Sequence, residues 1–282
     1  MYRTLVDAET LFQTLNEDPS GWLLLDCRFN LADPQAGLTA YSDGHLPGAF
    51  FLDLERHLSS PVTAQSGRHP LPDPTLLSTI LTSYGLTPAH QVLVYDDCGG
   101  AMAARAWWLL RWLGHEAVAV LDGGLEAWES IGGELSRVMP ATLSQTGKAR
   151  PSRPEMALTT TQLIQQLESQ NCVLVDARAA PRFRGEAEPI DPVAGHVPGA
   201  LNRPLTDNLL QGRFKSRQQL RDEWLALLVD LSPEQVVHMC GSGVTACHNL
   251  LSMEHAGLSG SRLYPGSWSE WIRDDTRPVA LG

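Results

Sequence analysis

The sequence predicts an α/β protein made of two duplicated domains, each with a mostly parallel sheet that carries helices on both faces. Two observations support this prediction. Short apolar runs typical of buried strands alternate with helical patterns along the chain, as they do in parallel sheets. In addition, four motifs recur in the same order at offsets of 143 to 151 residues. Because unrelated stretches do not repeat in order, we interpret the chain as an internal duplication.

The repeated motifs pair the first half of the chain with the second. An apolar strand ends in Asp-x-Arg at 23–28 and again at 173–178. The motif Gly-His-x-Pro-Gly-Ala occurs at 44–49 and again at 195–200. The remaining pairs are a second apolar strand (92–96 and 236–240) and a glycine-containing turn followed by a tryptophan (Trp128 and Trp271).

Helical patterns and a seam divide the chain further. The helical patterns cover residues 104–113, 161–168, 218–228 and 246–258. Residues 137–154 are rich in proline and basic residues and show no apolar periodicity, which indicates a boundary between the halves. We therefore expect a first domain at 1–138, a linker at 139–155 and a second domain at 156–282.

The composition excludes several classes of protein. The 282 residues are 43% hydrophobic and 19% charged, and the net charge of −11 argues against a general nucleic-acid or anionic-membrane binder. We expect no secretory signal at the N-terminus, and no apolar run is long enough to span a membrane. Its five cysteines form an odd number without framework spacing, so we expect reduced thiols and a cytoplasmic location.

Cys240 is the strongest candidate for chemistry. It stands where an apolar strand ends, and Gly241 and Gly243 lie between it and a predicted helix. Glycines let backbone N–H groups turn inward, and a helix N-terminus adds partial positive charge, so both favour a thiolate. The first half has Asp96 at this position, where an apolar or small residue would be expected if Cys240 only filled the core. We interpret Cys240 as a catalytic nucleophile and the first half as a degenerate copy.

Two other cysteine chemistries fit the sequence poorly. Cys240 has potential metal ligands nearby in the sequence, namely His238, Cys247 and His248. Their spacing does not bring four ligands together, so no metal is expected. A phosphatase loop needs an arginine six residues after the cysteine, and this position is Ala246.

Taken together, the motifs resemble those of tandem-domain rhodaneses over nearly the whole chain. They include Cys-Gly-Ser-Gly-Val-Thr at 240–245 and Gly-Ser-Trp-Ser-Glu-Trp at 266–271. The first loop is similar to that of 3-mercaptopyruvate sulfurtransferases, whereas thiosulfate-specific members tend to carry Arg and Lys after the cysteine. The resemblance implies two rhodanese-like domains, of which only the second is catalytic, and a persulfide on Cys240. It implies a small-molecule donor, 3-mercaptopyruvate, an acceptor that is cyanide, a thiol or a dithiol protein, and no cofactor.

The resemblance also implies a donor-binding site. Arg182 matches the family's substrate-binding arginine, and its planar guanidinium suits a carboxylate. The loop residues expected to complete the site are Gly241, Ser242, Gly243, Val244 and Thr245. Better-known members carry a second arginine near position 190, but this chain has Ile190 and Asp191 there. This departure leaves the identity of the donor open.

Several alternatives remain open from the sequence. The chain is alternatively a thiosulfate:cyanide sulfurtransferase or a non-enzymatic carrier of persulfide sulfur. In the mercaptopyruvate group a serine at the position of Ser242 is proposed to work with a histidine and an aspartate. His45 with Asp33 or Asp43 is one candidate pair for this relay, and His69 in a turn-rich segment is another candidate to face the site.

Duplicated polar residues are more typical of fold roles. Arg28 and Arg178 occupy one place in the two halves, and His45 and His196 occupy another. We expect the arginines to pair with the aspartate two residues before them or with nearby carbonyls, and the histidines to fix the turns that follow them.

Overall fold

The computed structural model describes residues 1–144 and 150–282. They form two compact units, the first made of residues 1–60 and 72–153 and the second of residues 61–71 and 154–282. A short segment from the first half of the sequence thus belongs to the second unit. The domain boundaries expected at 138 and 156 stay predictions, and residues 145–149 of the expected linker lie outside the described residues.

The first unit contains a sheet of five parallel strands in the order β1-β5-β4-β2-β3. These strands are β1 (Leu5–Val6), β2 (Trp22–Asp26), β3 (Phe50–Phe51), β4 (Gln91–Tyr95) and β5 (Val118–Leu121). The helices are α1 (Ala8–Glu17), α2 (Ala36–Asp43), α3 (Pro74–Ser83), α4 (Ala103–Trp112) and α5 (Gly124–Ser130). Asp26 pairs with Tyr95, so β2 and β4 end side by side and Asp96 follows at this edge.

The second unit contains a sheet of four parallel strands in the order β11-β10-β6-β7 and a separate antiparallel hairpin, β8–β9. The strands are β6 (Val173–Asp176), β7 (Leu201–Asn202), β8 (Leu209–Leu210), β9 (Arg213–Phe214), β10 (Val236–Met239) and β11 (Arg262–Leu263). The helices are α6 (Thr160–Glu168), α7 (Ala180–Phe183), α8 (Arg217–Leu228), α9 (Ala246–His255) and α10 (Ser267–Trp271). Asp176 pairs with Met239, so Cys240 follows at the corresponding edge.

These two sheets confirm the predicted fold class of duplicated α/β domains with parallel sheets flanked by helices. Strands β2, β4 and β5 correspond in order and pairing to β6, β10 and β11. The four predicted helices are present as α4, α6, α8 and α9, with ends within three residues of the expected positions. The local sequence explains some of these starts. Thr159 and Ser216 each form a capping box with a glutamine three residues later, which satisfies N–H groups that a helix start leaves unpaired.

Each unit buries its own apolar core. In the first unit the core is centred on Leu24, Leu93 and Trp128. In the second it is centred on Val237 and Trp268. The apolar stretches of sequence from which we predicted strands are therefore the buried strands of the two sheets. Among residues 1–144 and 150–282, no helix combines the length and apolar character needed to cross a bilayer.

The duplicated arginines have the expected fold role. Arg28 donates to both oxygens of Asp26 and, through Nη2, to the carbonyl of Gly44 at 2.7 Å. Arg178 repeats this pattern with Asp176 and with the carbonyl of Gly195 at 2.8 Å. Both ion pairs are buried. Each one ties a strand end to the chain before the Pro-Gly turn, so removing one partner would leave a buried charge alone.

The duplicated histidines also act in the fold. The His45 ring lies 2.7 Å from the carbonyl of Tyr41, and its backbone pairs with Ser136. The His196 ring lies 2.8 Å from the carbonyl of Phe183, and its backbone pairs with Ala280. Both contacts hold the chain next to a Pro-Gly turn, which confirms the interpretation drawn from the repeat.

Candidate active site

The Cys240 loop joins the end of β10 to the start of α9. The thiol is nearly inaccessible, with Cys240 2% exposed. The N–H of Gly243 points at Cys240 Sγ over 3.1 Å, so a backbone amide turns inward as the two glycines predicted. The chain on both sides of Cys240 is fixed as well, because its N–H donates to Ser267 Oγ at 3.1 Å and its carbonyl accepts from Trp268 N at 3.0 Å.

Gly243 is required by the shape of the loop. Its φ of +78° lies in the left-handed region, where side chains are strained. A Cβ at this position would also overlap the carbonyl oxygen of Pro265. The close approach of these two backbone segments is therefore possible only without a side chain, and it aims the Gly243 N–H at the sulfur.

Ser242 is paired with His69 in the second unit. Ser242 Oγ lies 2.8 Å from His69 Nδ1, and both residues are buried. The alternative partner expected from the sequence, His45, is wrong. The two ring nitrogens of His45 face the carbonyls of Tyr41 and Val138 in the first unit, at 2.7 and 3.2 Å.

Arg182 lies against the Cys240 loop. A Cβ placed on Gly241 would be 3.6 Å from both Nη atoms of Arg182. The guanidinium donates to both oxygens of Glu188 at 2.7 to 3.1 Å and to Asp191 Oδ2 at 3.2 Å. Arg182 is thus near the cysteine, as expected, but held by two acids.

Glu188 is the buried anchor of this arginine. Burial alone would raise the pKa of its carboxyl, but hydrogen bonds from Arg182 and from the N–H groups of Asp191 and Ile190 lower the pKa below its usual range. The same carboxylate lies 3.4 Å from Nη1 of Arg178. Glu188 was not singled out from the sequence, where it is one acid among 32.

Arg68 also reaches the site and was missed. It lies in the segment 61–71, which belongs to the second unit. It pairs with Asp191 and lies 3.0 Å, through Nη2, from a Cβ placed on Gly241. The preceding Gly67 packs so closely on the carbonyl of Gly266 that a Cβ would be 2.5 Å from that oxygen. A glycine before two basic residues is the sequence signal, but it does not reveal which unit the segment joins.

The last two loop residues play different parts. Val244 is buried, and its carbonyl accepts the N–H of Cys247 at 3.1 Å. Thr245 is half-buried at the start of α9, and its carbonyl accepts the N–H of His248 at 3.1 Å. Both carbonyls therefore support the first turn of α9 behind the cysteine.

The corresponding place in the first unit is filled by a carboxylate. Asp96 is fully buried. Its Oδ1 accepts the N–H groups of Cys98 and Gly100 at 3.1 and 2.8 Å, and its Oδ2 accepts those of Met102 and Ala103 at 2.8 Å each. Four amides turn toward one anion, as they would toward a bound ligand. The first unit therefore has a buried carboxylate where the second unit has a thiol, as expected from the sequence.

His238, Cys247 and His248, the residues considered as metal ligands, each contact a different partner. The His238 ring lies 3.1 Å from the sulfur of Met253, and burial lowers its pKa to about 3. Cys247 Sγ faces the carbonyl of Gly243 at 3.5 Å. His248 stacks on Phe214. Among the described residues, no group of three or more potential ligands is arranged to hold a metal ion.

The arrangement in the second unit suits attack on a small anionic substrate. A buried thiol has an N–H donor 3.1 Å away, from Gly243. The Ser242–His69 pair is built on the same loop and can hold or move a proton. Two guanidinium groups, from Arg68 and Arg182, lie over Gly241.

The chain was also compared with known proteins. The rhodanese-like domain family matches it twice, at residues 7–131 and 159–274. A protein from Pseudomonas aeruginosa, named as a probable 3-mercaptopyruvate sulfurtransferase, is 49% identical over 99% of this chain and 98% of its own length. A protein from Mycobacterium tuberculosis whose name assigns it to thiosulfate sulfurtransferases is 42% identical over 92% of this chain and 90% of its own length.

The fold is also found among solved structures. The crystal structure of SseA from Escherichia coli, described as a 3-mercaptopyruvate sulfotransferase, matches with a TM-score of 0.81 and 30% identity. The match covers 95% of this chain and 100% of SseA. The relatives therefore share the whole two-domain architecture, and their names divide between two sulfur donors.

Proposed function

The chain belongs to the rhodanese family, and from this premise we propose that it transfers the sulfur of 3-mercaptopyruvate through a persulfide on Cys240. The observation that carries the proposal is the inward-turned N–H of Gly243, 3.1 Å from the Cys240 sulfur at the end of β10. The name of the Pseudomonas aeruginosa relative, 49% identical over nearly the full chain, supports the choice of donor.

In the first step the Cys240 thiolate attacks the sulfur of the donor. A sulfur–sulfur bond forms and the carbon–sulfur bond of the donor breaks. The electron pair stays on carbon as the enolate of pyruvate, which then takes up a proton. The Gly243 N–H stabilises negative charge on the cysteine sulfur before the attack and on the persulfide after it.

In the second step a thiophilic acceptor attacks the outer sulfur of the persulfide. The sulfur–sulfur bond breaks, and its electron pair returns to Cys240 as the thiolate. Cyanide leaves as thiocyanate. A dithiol protein takes the sulfur as a persulfide on one of its own thiols, and its second thiol then forms a disulfide with release of hydrogen sulfide. The covalent intermediate divides one transfer into two easier displacements.

Ser242 and His69 are suited to deliver the proton that the enolate takes up in the first step. The Ser242 hydroxyl lies two residues after the nucleophile and 2.8 Å from His69 Nδ1. A protonated imidazole can pass its proton through this hydroxyl to the enolate carbon, which drives the release of pyruvate.

Arg182 is proposed to bind the donor carboxylate. Its guanidinium lies against Gly241, and a planar fork matches a carboxylate with two parallel hydrogen bonds. Gly241, Ser242, Gly243, Val244 and Thr245 form the rest of the proposed donor site, which is bounded mainly by backbone.

Thiosulfate is the second candidate donor, favoured by the name of the Mycobacterium tuberculosis relative. Thiosulfate carries two negative charges, and residues 241–245 contain no basic side chain to meet them. The nearby guanidinium groups of Arg182 and Arg68 are already paired with Glu188 and Asp191. This local neutrality supports a singly charged donor. A carrier without turnover is the third candidate.

The finer statements about partners are also proposals. A small-molecule donor and a thiophilic acceptor follow from family membership, whereas mercaptopyruvate as the donor rests on the loop residues above. A dithiol protein as the acceptor rests on the family resemblance, and a cytoplasmic location rests on the cysteine content. The test is a side-by-side comparison of kcat/KM for 3-mercaptopyruvate and thiosulfate with cyanide as acceptor.

We expect a preference of about a hundredfold for mercaptopyruvate, or roughly 2.7 kcal/mol of transition-state free energy. A preference for thiosulfate would overturn the donor assignment but leave Cys240 as the proposed nucleophile. Turnover with neither donor, from a protein whose Cys240 still reacts with alkylating reagents, would favour the carrier.

A further inference from the structure

Arg68 lies beside the Cys240 loop and has no part in the mechanism described above. Its backbone N–H donates to Ser269 Oγ at 3.0 Å, and the N–H of Ser269 donates to the carbonyl of Gly241 at 2.9 Å. A Cβ added to Gly241 would lie 3.0 Å from Arg68 Nη2 and 3.6 Å from both Nη atoms of Arg182. Two guanidinium groups from distant parts of the sequence therefore converge on the residue next to the nucleophile.

Asp191 joins these two arginines. Its Oδ1 pairs with Arg68 and its Oδ2 with Arg182, the latter at 3.2 Å. Its side chain is only 3% exposed, against 26% for Arg68 and 18% for Arg182. The carboxylate is thus much less accessible than either arginine side chain, each of which keeps an exposed part. Arg68 Nε is buried and has no hydrogen-bond partner among the described residues, so its guanidinium retains an unused donor.

The cluster is electrically balanced. Arg68, Arg178 and Arg182 supply three positive charges, and Asp176, Glu188 and Asp191 supply three negative charges. Burial raises the pKa of Asp191, although both arginines oppose this effect. The negative charge of Asp191 is therefore held at a cost. An additional anion that binds to the arginines must share them with this carboxylate.

We propose that Arg68 completes the donor-carboxylate site with Arg182, and that Asp191 between them makes this site selective for a singly charged donor. The inference rests on the proposed function and deepens it. One carboxylate can meet the accessible N–H groups of both arginines and add a single charge to a neutral cluster. A doubly charged donor adds a second charge beside a buried carboxylate, where repulsion is poorly screened.

The test compares wild type with Arg68→Gln and Asp191→Asn in steady-state kinetics with 3-mercaptopyruvate and thiosulfate. We expect Arg68→Gln to raise KM for mercaptopyruvate about tenfold and to leave kcat within about twofold, because a charge-assisted contact to the donor is lost. We expect Asp191→Asn to raise kcat/KM for thiosulfate, relative to that for mercaptopyruvate, at least about tenfold for the same electrostatic reason.

The matched controls lie close to Asp191 in the sequence. Arg184 and Glu186 form a surface pair whose side chains are 42% and 56% exposed. Arg184→Gln and Glu186→Gln change the net charge as the test variants do, and both should match wild type with either donor. Arg68→Lys keeps the positive charge but lacks the planar guanidinium, so its KM for mercaptopyruvate should fall between those of wild type and Arg68→Gln. Thermal unfolding of each variant shows whether it is folded.

A binding measurement separates this proposal from the choice of donor. Pyruvate, with one negative charge, and sulfate, with two, should protect Cys240 from alkylation by iodoacetamide. Arg68→Gln should raise the concentration of pyruvate needed for half-maximal protection about tenfold. Asp191→Asn should reduce the ratio of protection by pyruvate to protection by sulfate about tenfold.

If wild type does not turn over mercaptopyruvate but pyruvate protects Cys240 in an Arg68-dependent way, the donor assignment fails and the site stands. Equal protection in wild type and Arg68→Gln would overturn the role of Arg68. An unchanged ratio of pyruvate to sulfate protection in Asp191→Asn would overturn the charge selection.

Discussion

Replacing Asp96 should destabilise the first unit far more than a single substitution in a loop usually does. The carboxylate accepts four backbone N–H groups at 2.8 to 3.1 Å and is fully buried. Asp96→Ala leaves these donors without a partner, at about 1–3 kcal/mol for each one that water cannot reach. Cys98 is exposed, so water can reach part of this loop. We therefore expect a total loss of about 3–5 kcal/mol rather than the full sum.

The assay is urea and thermal unfolding followed by circular dichroism, with Asp97→Asn as the matched control. Asp97 is the exposed neighbour of Asp96, and its removal should change stability by less than about 0.5 kcal/mol. For Asp96→Ala the Tm of the first unit should fall by about 10 °C. Asp96→Asn should also be destabilised, because its NH2 group faces two of the N–H donors. Stability within about 1 kcal/mol of the control would refute the idea that this carboxylate holds the loop.

Three further predictions concern the second unit. Gly243→Ala should lower kcat at least about a hundredfold, because the left-handed backbone and the contact with Pro265 move the N–H away from Cys240; single-turnover rates check this, and a rate near wild type would contradict it. Ser242→Ala should lower kcat for mercaptopyruvate about a hundredfold and leave KM nearly unchanged, since the hydroxyl is proposed to act in proton delivery; a change in KM alone would assign Ser242 to binding. Glu188→Gln should be less stable than wild type at neutral pH, because the pKa of Glu188 is lowered in the folded state. The difference should shrink as pH falls below about 4.3, where the unfolded chain begins to bind a proton at this carboxyl, and it should be lost once pH is below the lower pKa of the folded state. Urea unfolding between pH 3 and 7 measures this, and a difference that grows in acid would contradict it.

Much of the site was predictable because the repeat places equivalent residues side by side. The contrast of Asp96 with Cys240 led to the expectation that the second half is the catalytic one, and the two glycines predicted a loop of inward amides. The Asp-x-Arg and Gly-His motifs occur in both halves, so their fold role followed from duplication. These inferences depend on local sequence and on the order of parallel strands, which bring strand ends to one edge of a sheet.

The remaining residues could not be placed because they depend on how one segment packs. His69 and Arg68 precede the second half in sequence, yet segment 61–71 belongs to the second unit. That placement follows from the close contact of Gly67 with Gly266 and from the hydrogen bond of Arg68 to Ser269. No periodicity encodes such contacts. The sequence therefore left both His45 and His69 open as candidates near Ser242, and it presented Asp191 only as the absence of an arginine.

The sulfur is proposed to pass from donor to acceptor on Cys240, and intact-protein mass spectrometry after one exposure to 3-mercaptopyruvate can detect this intermediate. We expect a protein heavier by one sulfur atom, with the added sulfur located on the peptide that contains Cys240. Added cyanide should remove it and release thiocyanate. Cys240→Ser should gain no sulfur and remain folded. An unmodified wild-type protein that still forms pyruvate and thiocyanate, or sulfur located on another of the five cysteines, would rule out a persulfide on Cys240.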